Sequence, residues 1–379
     1  MKRPGRATFA LSLSAVALCL AMMAIGGLTR AQGGPLECPE WPLCEGTAIP
    51  VLRGRVLIEF GHRVVANVLG LNMLALAMAL AWRMRAGSLR HWRLGVAGVV
   101  AVVVQGALIS RAGVLVSIQR RLGGPEGMEP QVLVVLTGLF AVAVLALAAW
   151  LTLRSGDRLA AMGLVACELV ETLSTLGAAL VFFGRPPAVV LVHSLASIVL
   201  IGFLAWVGAA LWAERERSLP ASASAGGPAA GRVLAGVVLV VVLGHLVRHT
   251  DAGTACGTSL LGCGDGLVPG PFGRAWLLQV HRGIGVIAAS AAAWAAWSAV
   301  RAGGNRAGAF TGACLLALVP LQVGLGAMAV LSGLDPSWRT LHHVVGEAVL
   351  ALVVAHACSL RPAPVAAPRA TIPPMEPET

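Results

Sequence analysis

Residues 26–46, GGLTRAQGGPLECPEWPLCEG, return in altered form at 244–266 as GHLVRHTDAGTACGTSLLGCGDG. Arg30 precedes Cys38 by eight positions, and Arg248 precedes Cys256 by eight. Cys44 precedes His62 by eighteen, and Cys263 precedes His281 by eighteen. Each of these histidines is followed by arginine, in GHR at 61–63 and VHR at 280–282. The repeat distance of 218 residues, from Arg30 to Arg248, indicates a duplicated domain rather than a solenoid. A second echo appears when 171–196 is slid onto 320–345. It aligns Gly177 with Gly326, Gly184 with Gly333, Pro187 with Pro336 and His193 with His342.

Both copies lie in a strongly apolar chain. Hydrophobic residues make up 57% of the 379, charged residues only 12%, and the mean hydropathy is +0.82. A soluble domain carries about 25% charged residues, so this chain has too little polar surface to cover its core in water. Apolar runs long enough to cross a bilayer fall at 8–28, 57–82, 94–117, 131–153, 159–183, 187–212, 232–249, 275–300, 308–332 and 338–360. The expected class is therefore an all-α integral membrane protein of about ten transmembrane helices. The first run lacks a small-x-small cleavage site and is read as a retained helix.

The net charge of +11 does not point to nucleic acid. Its arginines sit in short clusters between apolar runs, with a single lysine in the chain, as the positive-inside rule requires. Placing Lys2, Arg3 and Arg6, the cluster from Arg83 to Arg93, Arg154, Arg158, Arg215, Arg217, Arg301, Arg306 and Arg361 in the cytoplasm puts both termini inside. The cysteine-bearing loops then lie outside. Arg120 and Arg121 would also fall outside, offset in part by Glu126 and Glu129.

The repeating unit is four helices, and two bundles follow from it. Residues 1–218 form an N-terminal half with an added helix pair at 94–153. Residues 219–360 form the C-terminal half, and the Pro- and Ala-rich tail 361–379 reads as disordered. A rival assignment makes 94–153 the true counterpart of the last pair, because Gln105-Gly106 resembles Gln322 and Gly324. Val135 would then take the histidine position, and only 159–212 supplies a histidine there.

His62, His193, His281 and His342 all fall near the outer end of a helix. Two imidazoles at one depth on neighbouring helices can clamp a flat metallocycle between apolar walls. Two histidines per half fall short of the four ligands that zinc usually takes, so heme fits better. Arg63 and Arg282 adjoin two of these histidines. They are candidates for heme propionates or for snorkelling to the headgroups. Glu59 lies three residues before His62 on nearly the same helical face, whereas Leu278 takes its place in the second half. Such a carboxylate can shuttle protons or stabilise a developing cation, or simply face interfacial water. Cys38 with Cys44, and Cys256 with Cys263, read as structural disulfides of the outer loops, with a redox role as the alternative. Among the other histidines, His343 competes with His342 as a ligand.

GGLTR with CPEWPLC, Glu59-x-x-His62-Arg63, RHTDAGTAC with QVHR, and the LHH opening the last helix together resemble the heme A synthases of bacteria and mitochondria. The resemblance covers most of the chain except 94–153. It implies oxidation of the C8 methyl of heme O to the formyl of heme A, for cytochrome oxidase biogenesis. It also implies that His62 and His193 hold the substrate heme O, that Glu59 is catalytic, and that His281 and His342 hold a heme b cofactor. The expected setting is the inner (plasma) membrane, with lipid around the helices, an unidentified electron partner, and heme O synthase or cytochrome oxidase as neighbours. The added helix pair departs from the usual eight spans. The alternatives are a diheme b-type electron carrier and a heme-binding assembly factor without synthase activity.

Overall fold

The computed structural model describes residues 5–31, 33, 37–38, 40–122, 129–154, 158–183, 185–216, 227–263, 270, 272–303 and 306–360. The tail 361–379, the boundary at 218 and most of the charged connection after Arg121 lie outside the described residues. Among the described residues ten α-helices run in chain order: α1 (Arg6–Ala31), α2 (Gly54–Met84), α3 (Leu89–Arg121), α4 (Glu129–Arg154), α5 (Arg158–Phe182), α6 (Pro187–Glu216), α7 (Gly227–His249), α8 (Arg274–Arg301), α9 (Arg306–Leu331) and α10 (Pro336–Ser359). Each contains an apolar stretch long enough to cross a membrane, and the chain is a multi-pass membrane protein. Lipid leaves no other solution for these segments, because a spanning backbone must satisfy its own hydrogen bonds.

The helices close into two rings. In the first, α1 packs on α2, α2 on α5, α5 on α6, and α6 back on α1. In the second, α7 packs on α8, α8 on α9, α9 on α10, and α10 back on α7. These are the two four-helix bundles expected from the duplication. The added pair stays outside the first ring: α3 packs on α4, α2 and α5, and α4 also leans on α5. The seam between the rings is made by α10 against α6 and α1, and by α6 against α7.

Local chemistry fixes several helix ends. α10 starts with Pro336 at its first position, where a missing N–H costs nothing, and the Asp335 carboxylate accepts from Ser337 N at 2.9 Å. Arg83 at the end of α2 pairs with Glu214 of α6 at 2.9 Å, joining the two helices far from the cysteine loops. Across the seam the two repeat arginines exchange contacts. Arg30 Nη2 donates to the Arg248 carbonyl and Arg248 Nη2 donates to the Gly27 carbonyl, each at 3.4 Å.

Candidate functional site

Each of the four repeat histidines rests on a glycine of the preceding helix. A Cβ built on Gly26 of α1 would stand 3.2 Å from Cε1 of His62, and one on Gly177 of α5 would stand 3.7 Å from Cε1 of His193. The corresponding separations are 3.1 Å for Gly244 of α7 and His281, and 2.8 Å for Gly326 of α9 and His342. Three of these glycines leave no room for alanine unless the ring moves. The same helix turn also supplies a backbone carbonyl four residues earlier. Nδ1 of His342 lies 3.2 Å from the Gln322 carbonyl. The backbone of Met22, Leu173 and Val240 stands in the equivalent place beside His62, His193 and His281. Those three Nδ1 atoms are buried without meeting hydrogen-bond geometry. A carbonyl at Nδ1 favours the tautomer in which Nε2 is the free donor to a metal.

The C-terminal pair can be tested directly for fit to a heme. The His281 and His342 ring centroids are 6.5 Å apart, with ring planes at 87°. Two imidazoles bound to one metal at about 2 Å each hold their centroids roughly 6–6.5 Å apart. The spacing matches. In the N-terminal ring, His62 of α2 and His193 of α6 stand against Gly26 and Gly177 as His281 and His342 stand against Gly244 and Gly326. The rival assignment brings no histidine to that place. Gly106 of α3 lies against the Glu171 carboxylate, Gln105 donates to Glu168 Oε1 at 3.0 Å, and Val135 is exposed on the outer face of α4.

Disulfides Cys38–Cys44 and Cys256–Cys263 are formed, with Cα atoms 4.6 and 4.5 Å apart. Beneath the first, Glu59 is 5% exposed. Its Oε2 accepts from Cys38 N at 3.0 Å, and its Oε1 stands 3.7 Å from Arg55 Nη2. Beneath the second, Leu278 packs with Val247, Ala252 and Cys256. One position therefore carries a buried carboxylate in one half and an apolar contact in the other. The arginines diverge too. Arg63 donates to the carbonyls of Glu40, Leu43 and Cys38 at 2.6, 2.6 and 2.7 Å, tying the loop down. Arg282 donates only as far as Gln279 Oε1 at 3.2 Å, and its Nη2 is buried without a partner.

The added helices also reach this loop. Trp41 packs edge-on to Phe182 and joins a cluster with Ile109, Ala112 and Val116 of α3. Gly113 of α3 lies directly under the Trp41 carbonyl and ring, with no room for a Cβ.

Three carboxylates escaped the sequence reading. Glu168 and Glu171 of α5 and Glu347 of α10 lie inside apolar helices, and Glu168 and Glu347 are almost fully buried. An acidic residue within a spanning segment is the signal that would have found them. Glu347 Oε1 is 2.8 Å from His245 Nε2 of α7.

Fold and site together define an integral membrane protein of two histidine-lined four-helix bundles, each capped by a disulfide loop. Residues 132–354 match the cytochrome oxidase assembly protein family, and the chain belongs to it. It is similar to proteins named heme A synthase. The one from Symbiobacterium thermophilum is 36% identical over 104 residues, covering 27% of this chain and 34% of the relative. The one from Halalkalibacterium halodurans is 36% identical over 81 residues, covering 21% and 26%. The one from Bacillus licheniformis is 36% identical over 92 residues, covering 24% and 30%. The similarity thus spans about a third or less of each relative's length.

Proposed function

We propose that the chain is a heme A synthase, oxidising the C8 methyl of heme O to a formyl group for cytochrome oxidase biogenesis. The observation that carries this reading is the asymmetry beneath the two loops. The histidine–glycine frame is present in both halves, but only the N-terminal one has a buried carboxylate, Glu59, at the position filled by Leu278 in the other.

In this reading the N-terminal half, 1–218, is the substrate bundle. His62 and His193 would hold heme O, with the Gly26 and Gly177 faces setting their ring positions. Taking the methyl to the formyl level adds an oxygen from a water molecule and releases four protons and four electrons. Glu59 receives protons and stabilises the positive charge that develops there, and the electrons leave to an electron partner. The disulfide loop, clamped by Arg63 and wedged by Trp41, covers the reacting edge and excludes bulk water. In the C-terminal half, 219–360, His281 and His342 would hold a heme b, which would supply one-electron transfer to an electron partner. Arg282, with a buried unpaired Nη2, is the better placed of the two arginines to meet a propionate, whereas Arg63 is engaged by the loop. The cysteine loops face outward and both termini face the cytoplasm of the plasma membrane, following the arginine distribution. Heme O synthase is the neighbour that would deliver substrate.

Co-expression with a heme O synthase, followed by acid extraction and chromatography of the hemes, tests this. Heme A or its hydroxylated precursor is expected. Two reversibly reducible hemes b with no modified product would instead identify an electron carrier.

A further inference from the structure

A second cluster lies at the seam between the bundles, built from residues that the heme reading does not use. His343 and Glu347 of α10 stand four residues apart, so both project from one helical face. His245 faces them from α7. His245 Nε2 is 2.8 Å from Glu347 Oε1, His343 Nδ1 is 3.9 Å from the same oxygen, and the three donor atoms lie within 4.8 Å of one another. Ligand atoms around a small divalent metal sit roughly 3–3.5 Å apart. To take an ion the hydrogen-bonded 2.8 Å edge must open slightly and the longer edges must close.

Two further observations point to a ligand rather than a closed polar contact. Glu347 is 1% exposed, yet its second oxygen, Oε2, is buried with no hydrogen-bond partner. His249, one turn beyond His245 and with its ring 6.3 Å away, has a buried and equally unpartnered Nε2. His245 and His249 thus form an i,i+4 pair on α7, and His245 meets the i,i+4 pair His343/Glu347 of α10. Helix pairs of this kind carry metal sites in bundle cores. An outer partner is also in place: Ser194 of α6 lies 2.8 Å from His245 Nδ1, which fixes the ring with Nε2 toward Glu347. The neighbouring Arg248 is turned to the Gly27 carbonyl.

We propose that His245, His343 and Glu347 form a binding site for a divalent transition metal ion, with His249 as a candidate fourth ligand. Two imidazoles and a carboxylate suit zinc, iron(II) or manganese and disfavour calcium and magnesium, which prefer all-oxygen cages. The site takes residues from α7 and α10, with Ser194 of α6 orienting His245 across the seam. A bound ion would therefore tie α7 to α10 within the C-terminal bundle, beside the Ser194 contact from α6. The proposal is independent of the heme A synthase reading.

The test uses the full-length protein purified in detergent with its hemes. It is loaded with Zn2+, passed through gel filtration with a weak chelator, and its zinc and iron are counted by mass spectrometry. The wild type should retain one zinc per chain, and His91→Ala, which changes a histidine elsewhere, should retain the same. Glu347→Gln and His245→Gln should each lower zinc affinity at least ten-fold. Ser194→Ala, which spares every ligand, should lower it by about ten- to a hundred-fold at unchanged heme content and elution volume. Failure of the wild type to retain zinc would overturn the proposal. So would equal retention by Ser194→Ala and Glu347→Gln protein that elutes and absorbs like the wild type.

Discussion

The His342 ring lies so close to Gly326 that an added Cβ would stand 2.8 Å from its Cε1, and the Gln322 carbonyl one turn earlier meets its Nδ1 at 3.2 Å. One helix turn thus fixes both the position and the orientation of the imidazole. Gly326→Ala must push the ring away. Overpacking of this kind costs about 1–3 kcal/mol, and the purified variant should lose most of its C-terminal heme absorbance. Gly177→Ala, whose Cβ would meet His193 at an ordinary 3.7 Å, should keep a normal heme complement. Equal heme content in the two variants would contradict this ordering.

Removing the ligands themselves should separate the halves. His281→Ala or His342→Ala is expected to abolish the heme b spectrum of protein purified without substrate. His62→Ala or His193→Ala should leave that spectrum intact and remove binding of added heme O. Unchanged heme O binding in His193→Ala would turn attention back to the added helix pair.

Arg63 holds three loop carbonyls. Hydrogen bonds from a charged donor contribute about 1.5–3 kcal/mol each to a folded state. Arg63→Ala should therefore loosen the Cys38–Cys44 loop, seen as faster reduction of that disulfide by a mild thiol, while Cys256–Cys263 reduces at its wild-type rate. If both disulfides behave as in the wild type, the loop is held by other contacts.

Gly113 gives the added helices a task. Gly113→Val should displace Trp41 and likewise speed reduction of Cys38–Cys44, with the C-terminal heme spectrum unaffected. A variant indistinguishable from the wild type in this assay would mean that α3 does not support the loop.

Much of the architecture was legible in the sequence because lipid imposes it. Ten apolar runs became ten helices, and the spacings Arg30–Cys38 and Cys44–His62 against Arg248–Cys256 and Cys263–His281 announced the two rings. Helix ends extended past the apolar runs: α3 runs from Leu89 to Arg121, because polar residues at the interface continue a helix that hydropathy alone stops early. That α2 with His62 and α6 with His193 share one ring depended on packing α3 and α4 outside it, which no local pattern states. The glycine beneath each histidine was visible only as an aligned Gly177 and Gly326, since the contact joins different helices. The different duties of Arg63 and Arg282 were hidden for the same reason, as were Glu347 and His245, which are 102 residues apart and meet only where α10 closes the second ring onto α7.

In the proposed reaction Glu59 is the group that separates a reacting half from an electron-transferring one. Glu59→Leu makes the first half resemble the second at that position. With a heme O supply, mass spectrometry of extracted hemes is predicted to show heme A from the wild type. The variant is predicted to show heme O unaltered, with its C-terminal heme b spectrum preserved. Formyl product from Glu59→Leu at the wild-type level, or none from an intact wild type, would contradict the account.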